Sequence, residues 1–186
     1  MQTRRQAILG LGAVGLSACG TSGSLNSGAS IDESVNQAQQ QMYRVLPYTR
    51  DIAQRAAGVL IMPGIVKAGV IVGGAYGEGA LRTAADGFQR TVQYYSFGSA
   101  SVGYQLGLQK TKHALFFMTP AALTKFQASQ GFEVGADAEV TLIDTGFKAD
   151  LNTTELQQPI LAVVFSQQGL LAGASLEGAK YTRLVP

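Results

Sequence analysis

The chain has 186 residues, enough for one domain with a sizeable core, and a single cysteine, so no intrachain disulfide can staple it. Charged residues make up 14% of it and the formal net charge is +2, which excludes the large positive excess of a general nucleic-acid binder. One histidine beside that one cysteine also excludes a local Cys/His cluster of the kind that holds zinc, and no motif asks for a cofactor.

Arg4 and Arg5 form a basic start, Ile8 to Ala18 a short apolar run, and Leu16-Ser17-Ala18-Cys19 reads as a lipobox. The apolar run falls short of the roughly 20 residues that span a bilayer. The expectation is removal of residues 1–18 and lipidation of the Cys19 thiol. Arg4-Arg5 hints at twin-arginine export, although Ala7 stands where a large apolar residue is expected. Gly20 rather than an aspartate after the anchor resembles lipoproteins sent on to the outer membrane, so the expected place is its periplasmic face in a bacterial envelope. Without Arg4 and Arg5 the 14 basic residues fall to 12 and equal the 12 acidic ones. The charge is uneven, with nine basic and five acidic groups over 19–125 against three and seven over 126–186.

Residues 19–30 are rich in Gly, Ser and Thr and read as a flexible tether to a domain over 31–186. Ser30 followed by Glu33 suggests a capping box, and Ile31, Val35, Ala38, Met42 and Val45 recur at helical spacing until Pro47. A second short helix is expected over about 49–57. Val59-Leu60-Ile61-Met62 then reads as a short strand closed by a Pro63-Gly64 turn. Further strands are expected near 68–75, 79–84, 91–97, 100–109, 113–118, 137–144, 158–166, 169–176 and 179–185. Thr119-Pro120 signals a helix through about Ala128. The fold class is therefore α+β, with N-terminal helices packed on a strongly curved, mainly antiparallel, barrel-like sheet and one inserted short helix.

Signs of catalysis are thin. His113 is the only histidine a triad could recruit, no nucleophile elbow accompanies it, and it reads as a surface or strand-end residue. Glu78, Asp86, Asp137, Glu139 and Asp144 are the carboxylates that acid–base work could draw on, with Asp137 and Glu139 expected on one strand face. Gly73-Gly74-Ala75-Tyr76-Gly77-Glu78-Gly79 lacks the Gly-Lys-Ser/Thr of a phosphate loop and the third glycine of a dinucleotide fingerprint. Glycines so dense within strand sequence mark bends, bulges or close backbone approach. The chain is read as having no catalytic residues and no metal site.

Ala57 to Gly69 with Val72 to Gly79, then Ser101 to Gly107, Phe117-Met118-Thr119, Gly135 to Ala138 and Gly169 to Gly178, together resemble the SYLF domain, the domain of a yeast cortical-patch protein family. The resemblance covers about 31–185. It implies binding of phosphoinositides and other membrane lipids, and bacterial members are similar exported single-domain proteins. The family's tryptophan is replaced by the neighbourhood of Phe88, Tyr94 and Tyr95, no actin-regulating partner domain is appended, and actin binding is not carried over. The expected partner is an anionic membrane lipid, met by Lys67, Arg44, Arg50, Arg55 and Arg82. The alternatives are an adaptor contacting envelope proteins, or a carrier or hydrolase using an apolar pocket in the curved sheet.

Overall fold

Ser27, three residues ahead of the expected Ser30, caps the first helix: the Ser30 amide donates to its Oγ at 3.4 Å. The computed structural model describes residues 25–69, 72–84, 87–88, 90–102, 109–143, 158–166, 169–170 and 175–186. Cys19 and its lipobox, the tether up to Ser24, Asp86, Asp144 and the Gly103 to Gly107 part of the central motif lie outside the described residues. Helix α1 runs Gly28–Val45 and buries Ile31, Val35, Ala38 and Met42, the stripe its spacing foretells. Pro47 lies two residues beyond, and α2 follows at Thr49–Arg55.

The strands are β1 Gly58–Gly69, β2 Val72–Thr83, β3 Thr91–Val102, β4 Gln109–Phe117, β5 Gly131–Glu133, β6 Thr141–Leu142, β7 Ile160–Ser166, β8 Gly169–Leu170 and β9 Lys180–Leu184, with helix α3 at Pro120–Ala128 before β5. They form one sheet in the order β5-β9-β3-β2-β1-β4-β7-β6, with β8 also on β7. All strand pairs are antiparallel except β6 with β7. The sheet curls into a half-barrel, and the class is α+β.

Both faces are covered over much of the sheet, which is why its central strands read as unbroken apolar runs rather than alternations. On one face Val59, Ile61, Ala80, Ala114, Phe116, Leu161, Val163 and Phe165 pack under α1 and α2. On the other, Leu60, Met62, Leu81, Leu115, Phe117, Ala162 and Val164 pack with the aromatic residues Tyr95, Phe97, Phe126, Phe132 and Tyr181. Phe126 comes from α3 and sits 4.6 Å from the Tyr95 ring centroid and 4.7 Å from that of Phe117. Thr119 caps α3 by accepting from the Ala122 amide at 3.2 Å, with Pro120 at the first turn.

The Pro63-Gly64 turn is corrected. Strand β1 passes straight through it, and the registers on both sides absorb one extra residue there: Ile61 faces Ala80 but Ile65 faces Gly77, and Met62 faces His113 but Ile65 faces Thr111. Such a bulge bends the strand and sharpens its twist. The glycines opposite make room for it. A Cβ on Gly79 would stand 2.2 Å from the Ile61 carbonyl oxygen, and one on Gly77 would stand 2.7 Å from that of Gly64. Among the described residues the strands expected at 91–97 and 100–109 run together as β3 as far as Val102, Gln109 opens β4, and the strand expected at 137–144 keeps only Thr141–Leu142.

Candidate functional site

Antiparallel register places residues from five strands on common rows, so the sheet has two distinguishable ends. One end carries Gly58, Thr83, Thr91 and Phe117, and α2 leads into it directly. The other carries Lys67, Ala75, Ser99 and Gln109.

The expected lipid contacts divide between these ends. Arg50 and Arg55 are exposed on α2, which enters the first end, whereas Arg44 is exposed on the last turn of α1, just past Gln41, which meets Lys112 and the Ser166 carbonyl. Arg50 lies over the Tyr43 ring at 5.3 Å, a cation–π contact that leaves its charge at the surface. Lys67 is half-buried at the opposite end, on the face that also carries Ile65.

Arg82 stands apart from these four. It is only 3% exposed, and its guanidinium donates to Gln39 Oε1 at 2.6 Å and Asn36 Oδ1 at 2.8 Å on α1, and more distantly to the Phe88 carbonyl. Burial lowers its pKa, against the nearby charge of Asp32. An arginine held this way stays protonated, but its two terminal nitrogens fasten helix to sheet while its Nε is buried without a partner, and it is not an open headgroup contact. Asp32 extends the fastening by accepting from Thr91 at 2.5 Å and Tyr94 at 2.9 Å.

Glu78, one of the candidate acid–base groups, is buried. Its carboxylate accepts from the Leu25 amide, from Asn26 Nδ2, each at 2.7 Å, and from the Tyr76 hydroxyl at 2.8 Å. It therefore pins the start of the domain to β2. Tyr76 is pushed up to about 12, first by burial and then by its hydrogen bond to Glu78 and that group's charge, and stays a neutral phenol. Asp137 and Glu139 do not share a strand face: Asp137 is in a turn, where it accepts from the Glu133 amide at 2.7 Å.

His113 is also corrected. It is not at the surface but in the core, with its Nε2 2.8 Å from the Tyr181 hydroxyl and its ring 5.0 Å from Phe97. Burial drives its pKa down to about 3, so it is a neutral partner of Tyr181. Among the described residues no three His, Cys, Asp or Glu side chains gather as a metal site, and no helix is long and apolar enough to cross a membrane.

The groups that sequence reasoning passed over are those on the row next to Lys67. Register places Lys110, Val66, Tyr76, Gly98 and Lys180 side by side across β4, β1, β2, β3 and β9. Only the alternation of each strand was readable beforehand; which strands lie together was not.

A family model described as Ysc84, Las17-binding protein actin regulator, matches residues 98–184. This match, over residues 98–184, agrees with the resemblance of the sequence to the SYLF domain. The SYLF match runs from late β3 to β9 and takes in four of the recognised motifs, at 101–107, 117–119, 135–138 and 169–178, whereas Ala57 to Gly79 precede it. Comparison with curated proteins gives no match.

Proposed function

We propose that this chain is a lipid-anchored protein of the bacterial envelope, exported by residues 1–18 and held by acyl chains on Cys19, whose SYLF domain over 31–186 binds anionic lipid headgroups without catalysis. The observation that carries the reading is the SYLF match over residues 98–184, since membership of that family supports a lipid-binding type of domain. The exposed cations Arg44, Arg50 and Arg55, together with half-buried Lys67, supply charge that a headgroup would meet. A basic residue near an anionic surface contributes about 1 kcal/mol, and an acyl anchor makes weak binding effective by raising the local concentration.

Flotation with vesicles tests it, using the chain from Leu25 onward, which lacks any acyl group but retains the described core, whose first buried residue is Ile31. Anionic vesicles are expected to carry this chain upward and neutral ones to leave it behind. Equal behaviour with both removes headgroup binding, and a native mass for Cys19 without acyl groups removes the anchor.

A second reading is an adaptor for an envelope protein. It draws on the matched family, described as a Las17-binding protein actin regulator, in which the partner is a protein. Crosslinked pull-down of one stoichiometric protein from native cells, with no vesicle binding, favours it.

A further inference from the structure

On the α1 side of the sheet, the helix covers the rows that hold Val59, Ile61, Ala80 and Ala114, reaches Lys112 on the next row through Gln41, and stops short of the row after that. There Val66 is 38% and Tyr76 41% exposed, unusual for adjacent residues in the middle of a sheet. Next to them Gly98 has nothing within 4 Å of where a Cβ would stand, so no side chain or loop among the described residues lies over it. Exposed Lys110 flanks Val66 on β4, and exposed Lys180 flanks Gly98 on β9. Four strand spacings separate the two lysines, about 19 Å in all. Lys67, one residue beyond Val66, adds a cation on the opposite face of the same end.

Between Tyr76 and Lys180 the surface dips into a concavity of about 340 Å³ whose lining includes Ser96, Gly98 and Thr182. It offers hydroxyls and an ammonium group but also one opposing charge, for Glu133 on β5 is the register partner of Lys180. A neutral tyrosine beside an aliphatic residue, bordered by lysines, is the composition that settles at the boundary between headgroups and acyl chains.

A second, independent observation says what covers this end. The start of the described chain leaves the domain beside it: Leu25 and Asn26 are hydrogen-bonded to Glu78, which also holds Tyr76, and Leu25 itself is 79% exposed. Leu25 is six steps along the chain from Cys19, a reach of no more than about 22 Å when fully extended. An acyl chain on Cys19 thus keeps this end close to the bilayer, whereas Arg55 lies beyond the far end of β1, eight residues of strand and about 26 Å from Val66.

We propose that the end of the sheet bearing Val66, Tyr76, Lys110, Lys180 and Lys67 is the face by which the domain docks on an anionic bilayer, with the arginines of α2 turned away from it. The proposal rests on the lipid-anchored reading above and selects Lys67 among the cations expected there.

The chain contains no tryptophan, so one introduced tryptophan is an uncontested reporter of depth. Full-length acylated protein carrying Val66→Trp or Tyr76→Trp, bound to vesicles containing phosphatidylglycerol and brominated acyl chains, is expected to show blue-shifted, strongly quenched emission. Val92→Trp and Arg55→Trp, at the other end, are expected to remain unquenched. In the non-acylated chain from Leu25 onward, the double variant Lys110→Gln with Lys180→Gln is expected to bind such vesicles roughly 30-fold more weakly, while Arg50→Gln with Arg55→Gln binds as the parent does. Quenching at Val92→Trp or Arg55→Trp instead, equal quenching at all four positions or at none, or loss of binding only in the arginine variant, overturns the docking face and leaves lipid binding standing. Failure of the unsubstituted chain to bind anionic vesicles, with Cys19 unacylated in native cells, ends the broader reading itself.

Discussion

His113 carries the clearest pH signature in the molecule. Its pKa is lowered by burial to about 3 in the folded protein against an ordinary 6.5. Below pH 6.5 the unfolded chain takes up a proton that the folded chain refuses, so stability is full above that pH and declines as pH falls toward 3, by up to about 1.4 kcal/mol per pH unit. Urea midpoints between pH 7 and 4 are expected to fall less steeply in His113→Phe than in the parent; parallel slopes would mean the buried imidazole titrates normally. Glycine positions make a sharper contrast. Gly79→Ala drives a methyl group into the Ile61 carbonyl and the Met62 sulfur, and is expected to cost about 3 kcal/mol. Gly98→Ala meets nothing and is expected to be neutral or slightly stabilising in the same thermal melts.

Helix α1 is held to the sheet by polar contacts as well as by its apolar stripe. Arg82 grips Asn36 and Gln39, Asp32 receives Thr91 and Tyr94, and Gln41 donates to the Ser166 carbonyl at 3.0 Å while accepting from Lys112. Replacing Arg82 with Met keeps most of the packing but strands two acceptors, an expected loss of about 2 kcal/mol. Amide exchange is expected to localise the loosening to residues 31–45; uniform acceleration across the sheet would show instead that Arg82 supports the strands themselves.

Much of this level was readable from local pattern. The 31, 35, 38, 42 spacing, Pro47 and the Thr119-Pro120 start each act within a few residues, and each appears where expected. What failed to show was nonlocal. Pro63-Gly64 looks like a turn until Gly77 and Gly79 from another strand are seen to accommodate a bulge there. Arg82 reads as one more strand cation, because its acceptors lie 43 and 46 residues earlier in the chain. His113 looks exposed for the same reason: its partner is 68 residues away. Ser30 and Glu33 have the spacing of a capping box, but Ser27 stood nearby as a competing cap, and spacing alone does not choose between them.

Across the molecule, Arg50 and Arg55 on α2 stand at one end of the sheet and Lys67, Lys110 and Lys180 toward the other, a division invisible in the summed charge. Charge-driven attachment of the non-acylated chain is expected to weaken as salt rises from about 0.05 to 0.5 M, where screening shortens from more than 10 Å to a few ångströms. Attachment of the acylated protein is expected to survive the same change, because its chains do not depend on charge. Salt-insensitive flotation of the non-acylated chain would point to apolar insertion without headgroup attraction.

Among the described residues the strands at the rim are short, β5 with three residues and β6 and β8 with two each, which bears on the proposed attachment to a membrane. Proteins crowded into two dimensions collide edge to edge far more often than in free solution, and a long bare margin would invite one copy to zip onto the next. Margins this brief give an incoming strand few partners. Under the proposed anchoring, neighbouring copies are expected to jostle at high density and still part as individuals.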